Sequence, residues 1–245
     1  MLPALTLGAA VPYGRTAALM DRLVPLAKRA EACVGVVVLC EHLPVVSVGR
    51  RSGKGDAADV VMSERDIKGR HGADVVRSPR GGRVTCHMPG QVVAYPVVNL
   101  RALANSGVRA YVHALEDATA DACASFGAPF DRVEPGRDAG REGAWIAGTQ
   151  RKVASVGVRV SSGVASHGVA LNVANDLSLF DAVVPCGLED VSMTSLWREN
   201  GGTGPPPEEV ARVLAETIAG RLGVSTTWID GGAAMSDDEV LRVVM

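Results

Sequence analysis

The sequence predicts an α+β fold: a mixed β-sheet with flanking helices. Three observations carry that reading. Residues 34–40 (VGVVVLC) are an unbroken apolar, β-branched run, the pattern of a strand buried on both faces. Over residues 108–126, Tyr111, Leu115, Ala118, Ala122 and Phe126 recur at helical intervals. Strand-like runs at 144–147, 152–160 and 167–173 are separated by short Gly/Ser turns, which join strands as hairpins rather than as crossovers of a doubly wound sheet.

Taken in order, residues 4–8 read as a short first strand. Residues 12–30 read as a helix, with Leu19, Leu23, Leu26 and Ala30 on one side. Pro12 sits near its start, where a missing N–H is harmless, whereas Pro25 is expected to end or kink it. Residues 41–44 are a turn into a strand at 45–48, followed by a polar loop at 49–59 and a short helix within 62–72. The stretch 80–91 (RGGRVTCHMPGQ) lies between the apolar runs 73–76 and 92–98, and reads as a glycine-shaped turn joining two buried strands. Residues 131–142 are charged and rich in Gly and Pro, hence an exposed loop. Residues 176–180 form one helical turn, 183–187 a strand end, 201–207 a linker, and 208–222 a last helix with Pro207 and two glutamates at its start.

With 245 residues, 47% hydrophobic and 21% charged, the chain can bury a sizeable core. We read residues 1–225 as one domain and 226–245 as a C-terminal tail containing a short amphipathic segment from Asp237. A net charge of −2 gives no bulk attraction to nucleic acid or an anionic membrane, and neither is expected as a partner. No apolar run approaches a membrane span, and the first ten residues lack the charged-then-apolar pattern of a leader. The five cysteines are odd in number and form no CxxC pair or Cys/His cluster, so no disulfide framework and no metal site are expected. The expected location is a reducing cytoplasm.

Two residues stand out chemically. Cys186 lies in Pro185-Cys186-Gly187 at the end of an apolar run, where it reads either as a structural thiol or as a nucleophile with room for a substrate carbonyl. Lys152, one of only four lysines, opens an apolar strand; it reads as an edge residue or as an inward ammonium that exchanges protons. A free thiol has a pKa of about 8.5, and a neighbouring ammonium that lowers it by ~2 units makes the thiolate dominant at neutral pH. His87 and His167 adjoin glycine-rich turns, and each is a structural residue or a base. His42, His71 and His113 read as surface or packing residues, and Cys33, Cys40 and Cys123 as core.

With those residues in view, the chain resembles the octanoyl-[acyl-carrier-protein]:protein N-octanoyltransferases of lipoate biosynthesis. Arg80-Gly81-Gly82-x-Val84-Thr85-x-His87-x-Pro89-Gly90-Gln91, with Tyr95-Pro96 and Asn99-Leu100, carries the first part of the likeness. Lys152 to Gly157 and His167 to Val173 carry the second, and Asp176-Leu177-x-x-Phe180 with Pro185-Cys186-Gly187 the third. The resemblance implies the fold of the biotin and lipoate protein ligase catalytic domain. It implies octanoyl-acyl carrier protein (octanoyl-ACP) as donor. The implied acceptor is a lysine on the lipoyl domains of 2-oxoacid dehydrogenases and of the glycine cleavage H protein. Cys186 and Lys152 match the family's catalytic pair, and no cofactor or metal is implied. Arg80, Gly81, Gly82, Arg83, Val84, Thr85, Cys86 and His87 match its acyl-substrate-binding segments, as do Ser155, Val156, Gly157, Gly168, Val169 and Ala170. Cys86 replaces a usual aromatic residue and Met88 a usual small one, and both are expected to reshape the acyl pocket; Ala165 stands where threonine is common. Two other readings compete. One is an ATP-dependent lipoate or biotin ligase, against which the Pro185-Cys186-Gly187 block stands; the other is a non-catalytic acyl or lipoyl-domain binding protein.

Overall fold

The computed structural model describes residues 1–29, 34–52, 59–104, 107–137, 141–185 and 190–244. The chain starts with β1 (Leu2–Thr6), α1 (Tyr13–Arg29) and β2 (Gly35–Cys40). α1 buries Thr16, Leu19, Met20, Leu23 and Ala27, a stripe at three- and four-residue spacing. Pro25 lies inside this helix and does not end it. Pro25 and Asp21 are both exposed, so the Asp21 carbonyl that a proline leaves without its helical donor can turn to water.

A small sheet follows. β3 (Val45–Val48) lies between β4 (Asp74–Arg77), parallel to it, and β5 (Val84–His87), antiparallel to it. α2 (Glu64–His71) connects β3 to β4; the Ser63 side chain caps its start, and Gly72 ends it in the left-handed region. The expected turn at 80–91 is therefore not a turn between two buried strands: it contains β5. β4 is an edge strand with Asp74 and Arg77 exposed, and it pairs with β3 rather than with β6 (Gln91–Asn99). The charges at both ends of β4 suit an edge and not a sheet interior.

α3 (Val108–Ala124), β7 (Val133–Pro135), β8 (Gly143–Ile146), β9 (Arg151–Ser161) and β10 (Val164–Asn172) come next. β7 falls within the stretch expected to be a loop. Among the described residues it is the outermost strand of the large sheet, a place where a charge and a proline are tolerated. Ser162 and Gly163, at φ 53° and 87°, make the tight turn from β9 to β10, which starts three residues before the expected His167.

β11 (Ser192–Met193), α4 (Leu196–Glu199), α5 (Pro207–Arg221), β12 (Thr226–Ile229) and α6 (Asp237–Val244) complete the described chain. The large sheet runs β12-β1-β2-β6-β10-β9-β8-β7, with β11 alongside β9. β12, β1 and β2 are parallel, as are β11 and β9, and the remaining pairs are antiparallel: a mixed sheet. β2 alternates strictly. Val37 and Leu39 of β2 face α3 and α5, while Val36, Val38 and Cys40 face α1 and α6. Residues 226–229, read from the sequence as part of a tail, are the strand beside β1, and α6 seats Val240 and Val244 in the α1-side core. Among the described residues, no helix is long and apolar enough to cross a membrane.

Candidate active site

Where the small sheet lies against β6, β10 and β9, the gap is a cavity of about 390 Å³, within the range of small-molecule pockets. Two of its sides come from blocks singled out in the sequence. Val84, Thr85 and His87 of β5, with Arg80, Gly82 and Arg83 just before it, form one side. Lys152, Ser155, Val156 and Gly157 of β9 and Gly168, Val169 and Ala170 of β10 form the other. Cys86 does not line the cavity. It packs with Met88 in the core of the small sheet, where its thiol lies 3.6 Å from the Leu179 carbonyl. The same packing removes Met88 from the cavity, so neither residue shapes its wall. Gly81 also lies off the wall, donating its N–H to the Val158 carbonyl at 2.8 Å. Cys186 lies outside the described residues.

Lys152 reaches the cavity because β9 is irregular. Gly143 pairs with Ser155 and Ala144 with Ala154, but Trp145 pairs with Lys152, so Val153 is an extra residue on β9. Such a bulge reverses the side-chain alternation. Val153 and Ala154 both enter the core under α3, while Lys152 and Ser155 both face the cavity. Strict alternation from Ser155 would have turned Lys152 into that core. The lysine is 1% exposed, and its Nζ lies 5.2 Å from the centre of the Trp145 ring. On its other side β11 runs parallel, and the Thr194 N–H donates to the Lys152 carbonyl at 2.9 Å. A buried relay supports β11. His87 Nδ1 meets Gln91 Oε1 at 2.8 Å, Gln91 Nε2 donates to Asn172 Oδ1 at 2.8 Å, and Asn172 Nδ2 donates to the Thr194 carbonyl at 2.9 Å.

His167 is strained. It sits within β10 at φ 62°, an uncommon backbone for a non-glycine residue. Across the sheet stands Pro96, which has no N–H to give, and β10 pairs with β6 on both sides of this point but not at it. The His167 N–H turns instead to Met20 Sδ, 3.4 Å away. At Gly168 a Cβ would fall 2.5 Å from the Ala94 carbonyl oxygen, so only glycine fits the rung beside the proline. The His167 ring lies 3.4 Å from Ser78 Oγ, which also accepts from the Tyr13 hydroxyl at 2.7 Å.

The imidazoles around the cavity are held neutral. Burial pushes His42 and His167 down to about 4, with Arg80 and Arg159 adding to the effect at His167. Burial also drives His87 well below its ordinary value, helped by His42 and Arg80. Arg80 is itself tied to backbone: its guanidinium donates to the carbonyls of Ser47 (2.6 Å), Arg83 (2.8 Å) and Gly81 (3.1 Å). Arg83 grips the buried Asp59 with two hydrogen bonds of 3.0 and 2.5 Å, and the Asp59 carbonyl accepts the Val184 N–H at 2.8 Å. Burial pushes up the thiols of Cys40, Cys86 and Cys123, the last to about 12, which disfavours their thiolates. Neutral rings around a largely apolar space suit an uncharged chain better than an ion.

Several wall residues escaped the sequence reading. Tyr13 and Tyr95 line the cavity, and Tyr95 donates its hydroxyl to His42 Nε2 at 2.7 Å. His42, read as a surface or packing residue, is fully buried in this network. Tyr95-Pro96 entered the sequence reading only as part of the resemblance; its proline inside an otherwise central strand was the signal that could have marked the site. Glu142, in the stretch expected to be an exposed loop, also lines the cavity and pairs with Arg51 at 2.9 Å. Burial would raise its carboxyl, but the Arg51 hydrogen bond and the Arg51 and Lys152 charges outweigh that and hold it below the usual range. Among the described residues, no group of His, Cys, Asp and Glu could hold a metal ion.

Known proteins place this architecture. Residues 12–219 match the family model of the lipoyl protein ligase A/B catalytic domain. An octanoyltransferase of Desulfovibrio desulfuricans is 46% identical over 181 residues, covering 74% of this chain and 71% of its own. An octanoyltransferase of Koribacter versatilis is 35% identical over 232 residues, covering 94% of this chain and 88% of its own. Among solved structures, the bi-partite lipoate protein ligase of Thermoplasma acidophilum superposes with a TM-score of 0.69 at 15% identity, over 99% of this chain and 92% of that one. At that identity the likeness is one of fold.

Proposed function

Because this chain belongs to the lipoyl protein ligase A/B catalytic domain family, we propose that it moves an octanoyl group from octanoyl-ACP to a lipoyl-domain lysine through a thioester on Cys186. Its relatives are octanoyltransferases, and the chain is an acyltransferase of that type acting in protein lipoylation. One observation supports the mechanistic reading most: Lys152, buried at the wall of a largely apolar cavity.

In the first half-reaction the Cys186 thiolate attacks the donor thioester carbonyl. A C–S bond to the enzyme forms, the C–S bond to the carrier breaks, and Lys152 gives the departing thiolate its proton. In the second, the ε-amine of the acceptor lysine attacks the acyl-enzyme. The amide forms, the Cys186 sulfur leaves, and Lys152 takes up the proton from the attacking nitrogen. Thioester to amide is downhill, so the transfer needs no nucleotide. Burying the six methylenes and the terminal methyl in the cavity stabilises the bound octanoyl chain by roughly 5 kcal/mol. The raised thiols of Cys40, Cys86 and Cys123 favour Cys186 as nucleophile over those three. Holo-carriers and lipoyl domains of the 2-oxoacid dehydrogenases and the glycine cleavage H protein meet in the cytoplasm, where this reading puts the enzyme.

Incubation with octanoyl-ACP should leave a hydroxylamine-sensitive octanoyl adduct that peptide mass mapping assigns to Cys186. An adduct on another cysteine, or none before transfer to a lipoyl domain, would sink the thioester mechanism.

A further inference from the structure

We propose that Glu116 and Gly143 are positioning residues for Lys152: the buried carboxylate fixes a glycine whose missing side chain is the space the lysine stem occupies. The geometry is local. Gly143 has φ 128°, and a Cβ there would lie 2.9 Å from Lys152 Cε and 2.1 Å from the Ala154 carbonyl oxygen. The lysine stem therefore runs directly over Gly143. Glycine is also the residue that tolerates this backbone at the point where β8 begins its pairing, one rung before the register shift.

What holds Gly143 in place comes from the helix layer. Glu116 of α3 is fully buried, and its Oε1 accepts the Gly143 N–H at 2.9 Å. Its Oε2 meets His113 Nδ1 at 3.1 Å and lies 3.6 Å from the Arg137 guanidinium. A carboxylate withdrawn this far from water is costly unless its bonds are specific, and the bond it makes inward goes to backbone beside the lysine. Trp145, two residues on, supplies the wall at 5.2 Å from Nζ, and its Nε1 donates to the Arg141 carbonyl at 2.7 Å. The bulge decides which way Lys152 points; Glu116 and Gly143 decide how far it reaches.

This inference rests on the reading of Lys152 as the proton carrier, and its test separates the two. The variants are Glu116→Gln, which keeps the reach to Gly143 and loses the charge, and Glu116→Asp, which keeps the charge and withdraws it by one methylene. Lysine methylenes are followed by NMR in full-length protein carrying 13C at lysine Cε. With four lysines in the chain, Lys152→Arg identifies the Lys152 signal, which the Trp145 ring displaces from its random-coil position. Spectra are read well below each variant's melting temperature.

Glu116→Asp should move the Lys152 signal and lower kcat roughly ten- to hundredfold, with the KM for octanoyl-ACP within about twofold. Glu116→Gln should keep both signal and kcat near wild type. An unmoved Lys152 signal in Glu116→Asp would overturn the proposal, as would a larger change in Glu116→Gln, which would make charge rather than reach the operative property. If the signal moves as expected while Lys152→Ala still turns over normally, the positioning stands and the proton role of Lys152 falls.

Discussion

The pair β2–β6 and the pair β9–β10 sit in one sheet and are both largely buried, yet they are built differently. β2 and β6 hold one register from Gly35–Val98 to Cys40–Val93, and their side chains alternate between the two helix layers without interruption. β9 carries a bulge against β8, and β10 departs from β6 around a histidine at φ 62°. The regular pair buries Val37, Leu39, Val97 and Val98; the irregular pair buries Lys152, His167 and Asn172. Regular pairing suffices for packing. Backbone regularity is given up where a charged or polar side chain must face an apolar space, and the regular half keeps the sheet rigid enough to hold those departures.

If that division is right, damage to the two halves should separate cleanly. The largest effect belongs to the irregular half: Lys152→Ala should lower the rate of enzyme acylation by about 10²–10⁴, with the far-ultraviolet spectrum unchanged. Acylation at wild-type rate would remove Lys152 from the chemistry. In the regular half, Leu39→Ala should cost about 2–5 kcal/mol in denaturant titration while the folded fraction keeps its KM. A changed KM at low denaturant would show that the core and the cavity are coupled.

Acid should act through the buried imidazoles. His42 and His167 have folded values near 4, below the ordinary 6.5, so the unfolded chain takes up protons that the folded chain refuses. Their contribution is full above about pH 6.5 and is lost as pH falls toward 4, on the order of 3 kcal/mol for each. Melting temperature should drop across that window, and His42→Gln should flatten the drop; an unchanged slope would mean that other groups carry it. The smallest effect tests strain. His167→Val should destabilise by about 1–3 kcal/mol, because a β-branched residue tolerates φ 62° poorly, whereas His167→Asn should be tolerated. Equal stability of the two would show that the strain has been misjudged.

The strands and long helices were legible because their signals are local: β2 as a β-branched run, α3 as a periodic stripe, α5 from Pro207 and two glutamates at its start. The site blocks on β5, β9 and β10 were legible as a resemblance, and their residues converge on one cavity. What escaped depends on pairing. The bulge at Val153 exists only as a mismatch between two strands, and neither strand alone announces it. Cys86 sits between wall residues in sequence but points elsewhere, because its facing is set by the register with β3, and Gly81 is tied off the wall by its hydrogen bond to the Val158 carbonyl. β7 read as loop because an edge strand tolerates the charge and proline that mark loops.

The earliest strand in the chain, β1, takes one of its two neighbours from β12, with Thr226 bonded to a carbonyl 224 positions before it. α6 then clasps α1, the helix that begins with Tyr13, through Arg15 and Asp237. During synthesis on the ribosome, β1 must therefore wait for β12 to emerge. A nascent chain halted short of residue 226 would expose an unpaired edge beside an unbacked helix, so premature release should yield aggregates rather than a shortened enzyme.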